Sequence, residues 1–206
     1  MPAVRIFLLK WGTKYGADDV NRLARSIRRH AARPVDIICF TDDPAGLFET
    51  TTPALLPIDP TISGWWWKVW LFSLGVSFLF LDLDCVVIGD VTGLHLPAPL
   101  TILKDPWQPG FNSSVMSTDG SLSRVWREFT PDVMGELRGD QDWISRQVPD
   151  AALYHPGLCR SFKAEMVGLD RPPADCRLVY FHGVPKPAQA LAAGADWIGE
   201  EWRAAE

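Results

Sequence analysis

The stretch VSFLFLDLDCVVIGD, from Val76 to Asp90, constrains the fold of this chain more than any other. It opens with the apolar run Phe78-Leu79-Phe80-Leu81 and then delivers Asp82-Leu83-Asp84 into hydrophobic surroundings. A short apolar run rich in β-formers reads as a strand buried on both faces, the condition of strands in sheets covered by helices. Carboxylates at the end of such a strand need compensation, because burying an unpaired charge costs several kcal/mol or more. Two apart on an extended chain, Asp82 and Asp84 point the same way. Ligands of open α/β sheets bind outside the carboxyl ends of the strands. A hard divalent cation, which takes carboxylate oxygens together with ligand phosphates, suits such a pair. Capping of a local turn, or pairing with lysine or arginine, is the ordinary alternative and stays open at this point.

The segments around this strand set its context. Val4 to Leu9 reads as a first strand, followed by the two-glycine loop Lys10–Gly16. From Asp18 onward Val20, Leu23, Ala24 and Ile27 recur at helical spacing, with acidic residues at the N-terminal end where the helix dipole favours them. Pro34 ends that helix, and Val35 to Phe40 supplies a second strand. Strand, helix, strand within about forty residues is a βαβ unit and implies a parallel sheet. Pro53 to Pro60 reads as a connection, and Gly64 to Phe72 as a helix without a clean polar face. Leu100–Asp105 and Phe111–Met116 read as strands, Ser121–Phe129 as a helix capped by Ser121, and Gly139–Ile144 as the opening of another helix. Arg177–Phe181 is a late strand running into His182-Gly183-Val184-Pro185-Lys186-Pro187, and the tail holds one or two loose helices. The pattern is α/β with three layers, α/β/α, around a central, mostly parallel mixed sheet. Without repeats or linkers, 206 residues form one domain, 1–206.

Composition excludes several classes. A net charge of −5 gives no basic footprint for nucleic acid or anionic membrane. No apolar stretch reaches the ~18 residues of a membrane span, and the start lacks a signal-peptide pattern. Cys39, Cys85, Cys159 and Cys176 show no metal-type spacing, and Cys39, Cys85 and Cys176 lie in strand-like apolar segments as buried thiols. These features fit a cytoplasmic protein, and nothing in the sequence calls for a stable oligomer.

Other chemistry-bearing groups are ambiguous when taken singly. His182 ends a strand, where a histidine is usually structural, but Gly183 lets backbone approach a ligand and Lys186 follows in a proline-stiffened loop. Asp140 and Asp142 sit in a helical first turn, where they serve the dipole whether or not they bind anything. The ten tryptophans, Trp65-Trp66-Trp67 among them, include candidates for a sugar-stacking platform, although most suit the core. A strand ending in Asp-x-Asp also resembles the nucleophile motif of haloacid-dehalogenase-type phosphatases, which carry it in their first strand rather than some eighty residues in.

In their order along the chain these pieces resemble nucleotide-sugar glycosyltransferases of the Rossmann-like GT-A fold. The chain is most similar to the family 8 type, with its glycogenin-like and lipopolysaccharide galactosyl- or glucosyltransferases, and to small bacterial relatives. The resemblance runs from Val4 to Pro187 and rests on the Lys10–Gly16 loop, Trp67-Lys68, Asp82-Leu83-Asp84, Asp105, Phe111-Asn112, Asp140-Gln141-Asp142 and Phe181–Pro187. It implies that Asp82 and Asp84 bind Mn²⁺ or Mg²⁺ on the donor diphosphate and that His182 completes that metal site. It implies that Lys186 contacts the diphosphate, with Gly183 and Leu83 beside the donor and Lys68 near it. Tyr15 would stack the base, accompanied by Thr13. Asp105, Asn112, Asp140 and Gln141 would line the donor sugar, with Gln141, Asp140 and Lys186 the catalytic candidates. The family's late motif sets histidine and lysine further apart, with glycine midway, whereas here Gly183 adjoins His182 and Lys186 follows closely.

The activity implied is metal-dependent transfer of a sugar, with retention, from a UDP-sugar to a carbohydrate or other acceptor hydroxyl. Residues 1–90 form the nucleotide-binding half and 91–206 the acceptor and catalytic half. A non-catalytic nucleotide-sugar-binding domain is the alternative, with the phosphatase behind it.

Overall fold

The computed structural model describes residues 2–48, 52–57 and 59–203. The first half runs β1 (Val4–Lys10), α1 (Ala17–His30), β2 (Val35–Thr41), β3 (Thr52–Leu55), α2 (Trp67–Leu71), β4 (Phe78–Leu81) and β5 (Cys85–Val87). It continues through β6 (Thr101–Lys104), β7 (Phe111–Thr118), α3 (Arg124–Arg127), α4 (Val133–Glu136), α5 (Asp140–Gln147) and β8 (Ala152–Leu153). The last elements are β9 (Cys159–Ser161), α6 (Phe162–Glu165), β10 (Leu178–Tyr180), α7 (Pro187–Ala192) and α8 (Asp196–Arg203).

Seven strands form the main sheet in the order β3-β2-β1-β4-β7-β6-β8. Only β7 runs against the rest, pairing antiparallel with β4 and β6, so the sheet is mixed and mostly parallel. A three-stranded sheet, β5-β10-β9, lies beside it. The expected α/β architecture with a Rossmann-like, largely parallel sheet is therefore present.

Alternation along each strand explains how the layers are glued. In β4, Leu79 and Leu81 join one core with Val4, Ile6 and Leu8 of β1 and the α1 face Val20-Leu23-Ala24-Ile27. Phe78 and Phe80 point the other way, into a second core with Phe7, Trp66, Trp67 and residues of α2 to α5. All four β4 side chains are within 1 % of complete burial, at about 1.5–3 kcal/mol each relative to exposure. Phe7 stacks on Phe78 at 4.6 Å. The small sheet alternates too: Cys85, Val87, Leu178 and Tyr180 face the α1 core. Val86, Val179 and Phe181 face a third cluster with Ala190, Trp197 and Ile198. Trp197 and Ile198 are 5 % and 0 % exposed, so the tail helices are docked rather than loose.

Local sequence accounts for most boundaries. Asp19 Oδ2 accepts the Gly16 amide at 2.9 Å at the start of α1, and Arg28, Arg29 and His30 occupy its last turn. The segment expected as a Ser121–Phe129 helix has only the single turn Arg124–Arg127, because Asp119 takes the Ser121 amide into a turn of its own. A strand, β3, overlaps the start of the stretch read as a connection, held by parallel pairing to β2 rather than by its own sequence. Ile58 of that stretch lies outside the described residues. All four cysteines are free and buried; Cys159 is in a strand and Cys176 is not, the reverse of the expectation for that pair. Among the described residues no helix is long and apolar enough to cross a membrane.

Gly120 follows β7 with φ +92°, and a Cβ there would come within 2.6 Å of the Val76 carbonyl carbon. Gly120→Ala therefore meets both a left-handed backbone and fixed main chain, and is expected to lower stability by about 1–3 kcal/mol. A urea melt checks this: the midpoint should fall with an unchanged slope.

Candidate active site

The topology puts a crevice where chemistry is expected. The chain leaves β1 toward β2 on one side and returns to β4 on the other, so the loops after β1 and β4 diverge at a topological switch point. A cleft of about 830 Å³ opens there. One lip is Trp11–Tyr15, following β1, and the floor is Asp82–Asp84, following β4.

Asp82 and Asp84 do not continue the strand, as their alternation suggested. They occupy the turn between β4 and β5, closed by the Cys85 amide donating to the Asp82 carbonyl at 3.1 Å. The neighbouring strand fixes this turn, since the Asp82 amide donates to the Ser114 carbonyl at 2.9 Å. Strand β7 carries an irregularity here: its register against β6 jumps from Met116 opposite Ile102 to Asn112 opposite Leu103. Such bulges re-aim side chains. Ser113 is thereby directed to Lys68, and Asn112 Oδ1 accepts the Ser114 amide at 3.0 Å.

Charge compensation comes from two lysines. Lys68, on the buried side of α2, donates to Asp82 at 2.9 Å and to Ser113 Oγ at 3.2 Å, and lies 3.8 Å from Asp140 Oδ2. Lys186, just before α7, pairs with Asp84 Oδ2, which also accepts the Tyr15 hydroxyl at 2.8 Å. Three carboxylates, Asp82, Asp84 and Asp140, thus gather around two ammonium groups at the floor, and Lys14 on the lip lines the same cleft. Asp140 Oδ2 is buried without a hydrogen-bond partner.

These charges perturb one another. Burial, opposed by Lys68 and reinforced by Asp84, pushes the Asp82 carboxyl up to about 6. Burial by itself would lower Lys68, but the carboxylates of Asp140 and Asp82 outweigh it and raise the ammonium above its ordinary 10.5. Both partners of the pair move upward, which an isolated ion pair does not do. The cause is stoichiometric: one ammonium serves several carboxylates, so it is held firmly while they repel each other. We take the pair as ionised at neutral pH, because the Asp82 side chain is still 25 % exposed to the cleft. Burial and the adjacent Asp84 raise the Tyr15 phenol, which stays a proton donor to that carboxylate.

Of the residues singled out from sequence, Thr13, Tyr15, Lys68, Asp82, Leu83, Asp84, Asn112, Asp140, Gln141, His182, Gly183 and Lys186 all line this one cleft. Asp105 does not. Its carboxylate turns back to accept the amides of Trp107 and Gln108 at 2.8 and 2.9 Å, a local turn that competes with any outward role. The His182 side chain also has a local partner: Nε2 lies 2.8 Å from Ser161 Oγ. Burial and Lys163 lower its pKa, so the imidazole is neutral at pH 7. Among the described residues, no three His, Cys, Asp or Glu side chains are gathered as a metal site.

Sequence reasoning passed over Arg138, Ser113 and Ser161. Arg138 lines the cleft, tied to Asp142 at 2.6 and 2.8 Å and to Gln108 at 2.7 Å. The polar run Asn112-Ser113-Ser114 inside a strand was the available signal for the serine.

No family model matches the sequence, and no curated protein matches it. Solved structures do resemble it. The glycosyltransferase GlyE in Streptococcus pneumoniae TIGR4 superposes with a TM-score of 0.71 at 16 % identity, covering 99 % of this chain and 62 % of that one. Its apo form gives 0.61 at 14 % identity, over 98 % of this chain and 64 % of the neighbour. The bifunctional glycosyltransferase WbbM gives 0.60 at 12 % identity, over 98 % and 51 %. The chain spans less than two thirds of the length of these neighbours, and over nearly its whole length it shares their fold.

Proposed function

We propose that this chain is a metal-dependent glycosyltransferase that moves a sugar from a nucleotide sugar, a UDP-sugar, to an acceptor hydroxyl with retention. The observation that carries this reading is the Asp82–Asp84 turn at the floor of the switch-point cleft, with a third carboxylate, Asp140, beside it whose Oδ2 is buried without a hydrogen bond. The fold shared with glycosyltransferase structures supports it.

The donor set suits Mn²⁺ or Mg²⁺, which take one or two carboxylates and fill their shells with phosphate oxygens and water. Asp82 and Asp84 would hold the ion, and His182, neutral and on the same cleft, would add a nitrogen on leaving Ser161. Bound there, the cation supplies Lewis-acid neutralisation of the leaving diphosphate.

The chain's own residues do the rest. Lys186, partly exposed, exchanges Asp84 for a diphosphate oxygen and offsets charge as the glycosidic bond breaks. Lys68 is too buried to follow and holds Asp82 in place. Tyr15 and Thr13, on the lip after β1, flank the base. Asn112, Gln141 and Asp140, whose Oδ2 has no hydrogen bond, face the donor sugar, and Asp140 stabilises positive charge developing at the anomeric carbon. Retention follows from same-face attack assisted by the leaving phosphate. In this reading residues 1–90 carry the nucleotide and 91–206 the acceptor side.

A mass-spectrometric screen of UDP-, GDP- and CMP-sugars, with Mn²⁺ and with EDTA, tests it. Mn²⁺-dependent release of UDP from one of the UDP-sugars is the expected result. Consumption of no donor, with UDP still bound, would leave a binding domain; Asp82-dependent phosphate release from simple esters would establish a phosphatase.

A further inference from the structure

Of the ten tryptophans, Trp11, Trp65 and Trp107 are the exposed ones, at 38, 50 and 62 %. Trp11 and Trp65 line the cleft. Large apolar side chains exposed on the rim of a polar cleft mark a contact with a ligand rather than with the core. The neighbours in sequence make the contrast sharp: Trp66 and Trp67 are 6 % and 2 % exposed.

The position of Trp65 is built into the fold. Gly139 precedes α5 with φ 179°, an extended backbone that any residue adopts. What calls for glycine is space, because a Cβ there would meet the Trp65 indole, Nε1 at 3.2 Å and Cδ1 at 3.6 Å. The indole is thus seated against the residue immediately before Asp140 and Gln141. Tyr15 and Lys186, by contrast, are joined to Asp84. Trp65 therefore belongs beside Asp140 and Gln141, the residues given to the reacting sugar, rather than to the Asp84 cluster.

We infer that Trp65 is the platform on which the acceptor lies, and that the acceptor presents a pyranose ring. The electron-rich face of an indole attracts the polarised C–H groups on the apolar face of a pyranose, while the ring's hydroxyls stay free for polar partners. Stacking there holds an acceptor hydroxyl beside Asp140 and Gln141. This rests on the glycosyltransferase reading and adds to it the chemical class of the acceptor.

The test titrates methyl β-D-glucopyranoside and methyl β-D-galactopyranoside into the whole chain, followed by tryptophan fluorescence and saturation-transfer NMR. Acyclic sorbitol is the control, and UDP with Mn²⁺ is titrated in parallel. At least one glycoside should bind and sorbitol should not. Trp65→Ala, which removes a half-exposed side chain, should weaken the glycoside at least about 5-fold and leave UDP unchanged. Trp65→Phe should keep most of the affinity. Gly139→Ala, which displaces the indole by a few tenths of an ångström, should lose part of it. Glycoside binding equal in Trp65→Ala and wild type, an equal loss for UDP, or no glycoside binding at millimolar concentrations would overturn the inference. Failure of the wild type to bind UDP at all would strike the glycosyltransferase reading instead.

Discussion

Lys68→Met is expected to destabilise the protein by about 3–5 kcal/mol, the cost of leaving a buried charge without its partner. Methionine keeps the unbranched stem packed near Phe80, where the ammonium lies 5.3 Å from the ring centroid. The loss is therefore electrostatic rather than steric. Asp82 loses its ion-pair partner, and Asp140, whose Oδ2 already has no hydrogen bond, loses its nearest cation. Urea unfolding measures the effect. The double variant Lys68→Met with Asp82→Asn should recover part of it, and the coupling energy from that cycle isolates the pair.

The same pair has an alkaline signature. Because the folded state raises Lys68 above its ordinary 10.5, its contribution is complete below that value and disappears as pH rises through the folded value. Wild-type stability should show this alkaline loss and Lys68→Met should lack it. Identical alkaline limbs would mean that the ammonium is not held as described.

Asp84→Asn carries the largest expected effect on activity, a loss of at least about 100-fold in turnover. The substitution removes one of the two carboxylates proposed to hold the cation and takes one negative charge from the cleft floor. Its structural cost is small, because the Lys186 side chain is 27 % exposed and returns to water. An asparagine carbonyl still accepts the Tyr15 hydroxyl. The melting temperature should therefore stay within a few degrees of wild type while turnover fails. A folded variant with full activity would remove Asp84 from the chemistry.

How much of this was legible in the sequence differs from element to element. The run Phe78–Leu81 declared a doubly covered strand because both of its faces are apolar, and the structure buries both. The first βαβ unit was equally clear, since α1 keeps its apolar stripe on one face and β1 pairs β2 in register, Val4 with Val35. Convergence of distant motifs on one cleft was legible through their resemblance to a family, not through their spacing.

What stayed hidden depends on partners distant in sequence. Alternation cannot show that Asp82 and Asp84 lie on a turn, because that turn is fixed by the Ser114 carbonyl from β7. Short strands such as β8 and β9 exist through pairing with β6 and β10, not through local preference. His182 gave no sign that its imidazole is engaged by Ser161, and Asp105 gave none that it caps its own loop. Lysine as the partner of Asp82 was the ordinary alternative to a metal at the outset. The structure contains that pairing, and the cation proposal now rests on the three carboxylates gathered around it, with Asp140 Oδ2 lacking a hydrogen bond.

Calorimetric titration of UDP tests this most directly. Run on wild-type protein with Mn²⁺, with EDTA, and on Asp84→Asn with Mn²⁺, it reads the nucleotide and the cation at one site. Tight binding in the first case and a large loss in the other two is the predicted result. Equal affinity in all three would contradict the claim that the Asp82–Asp84 turn seats a cation for a nucleotide diphosphate.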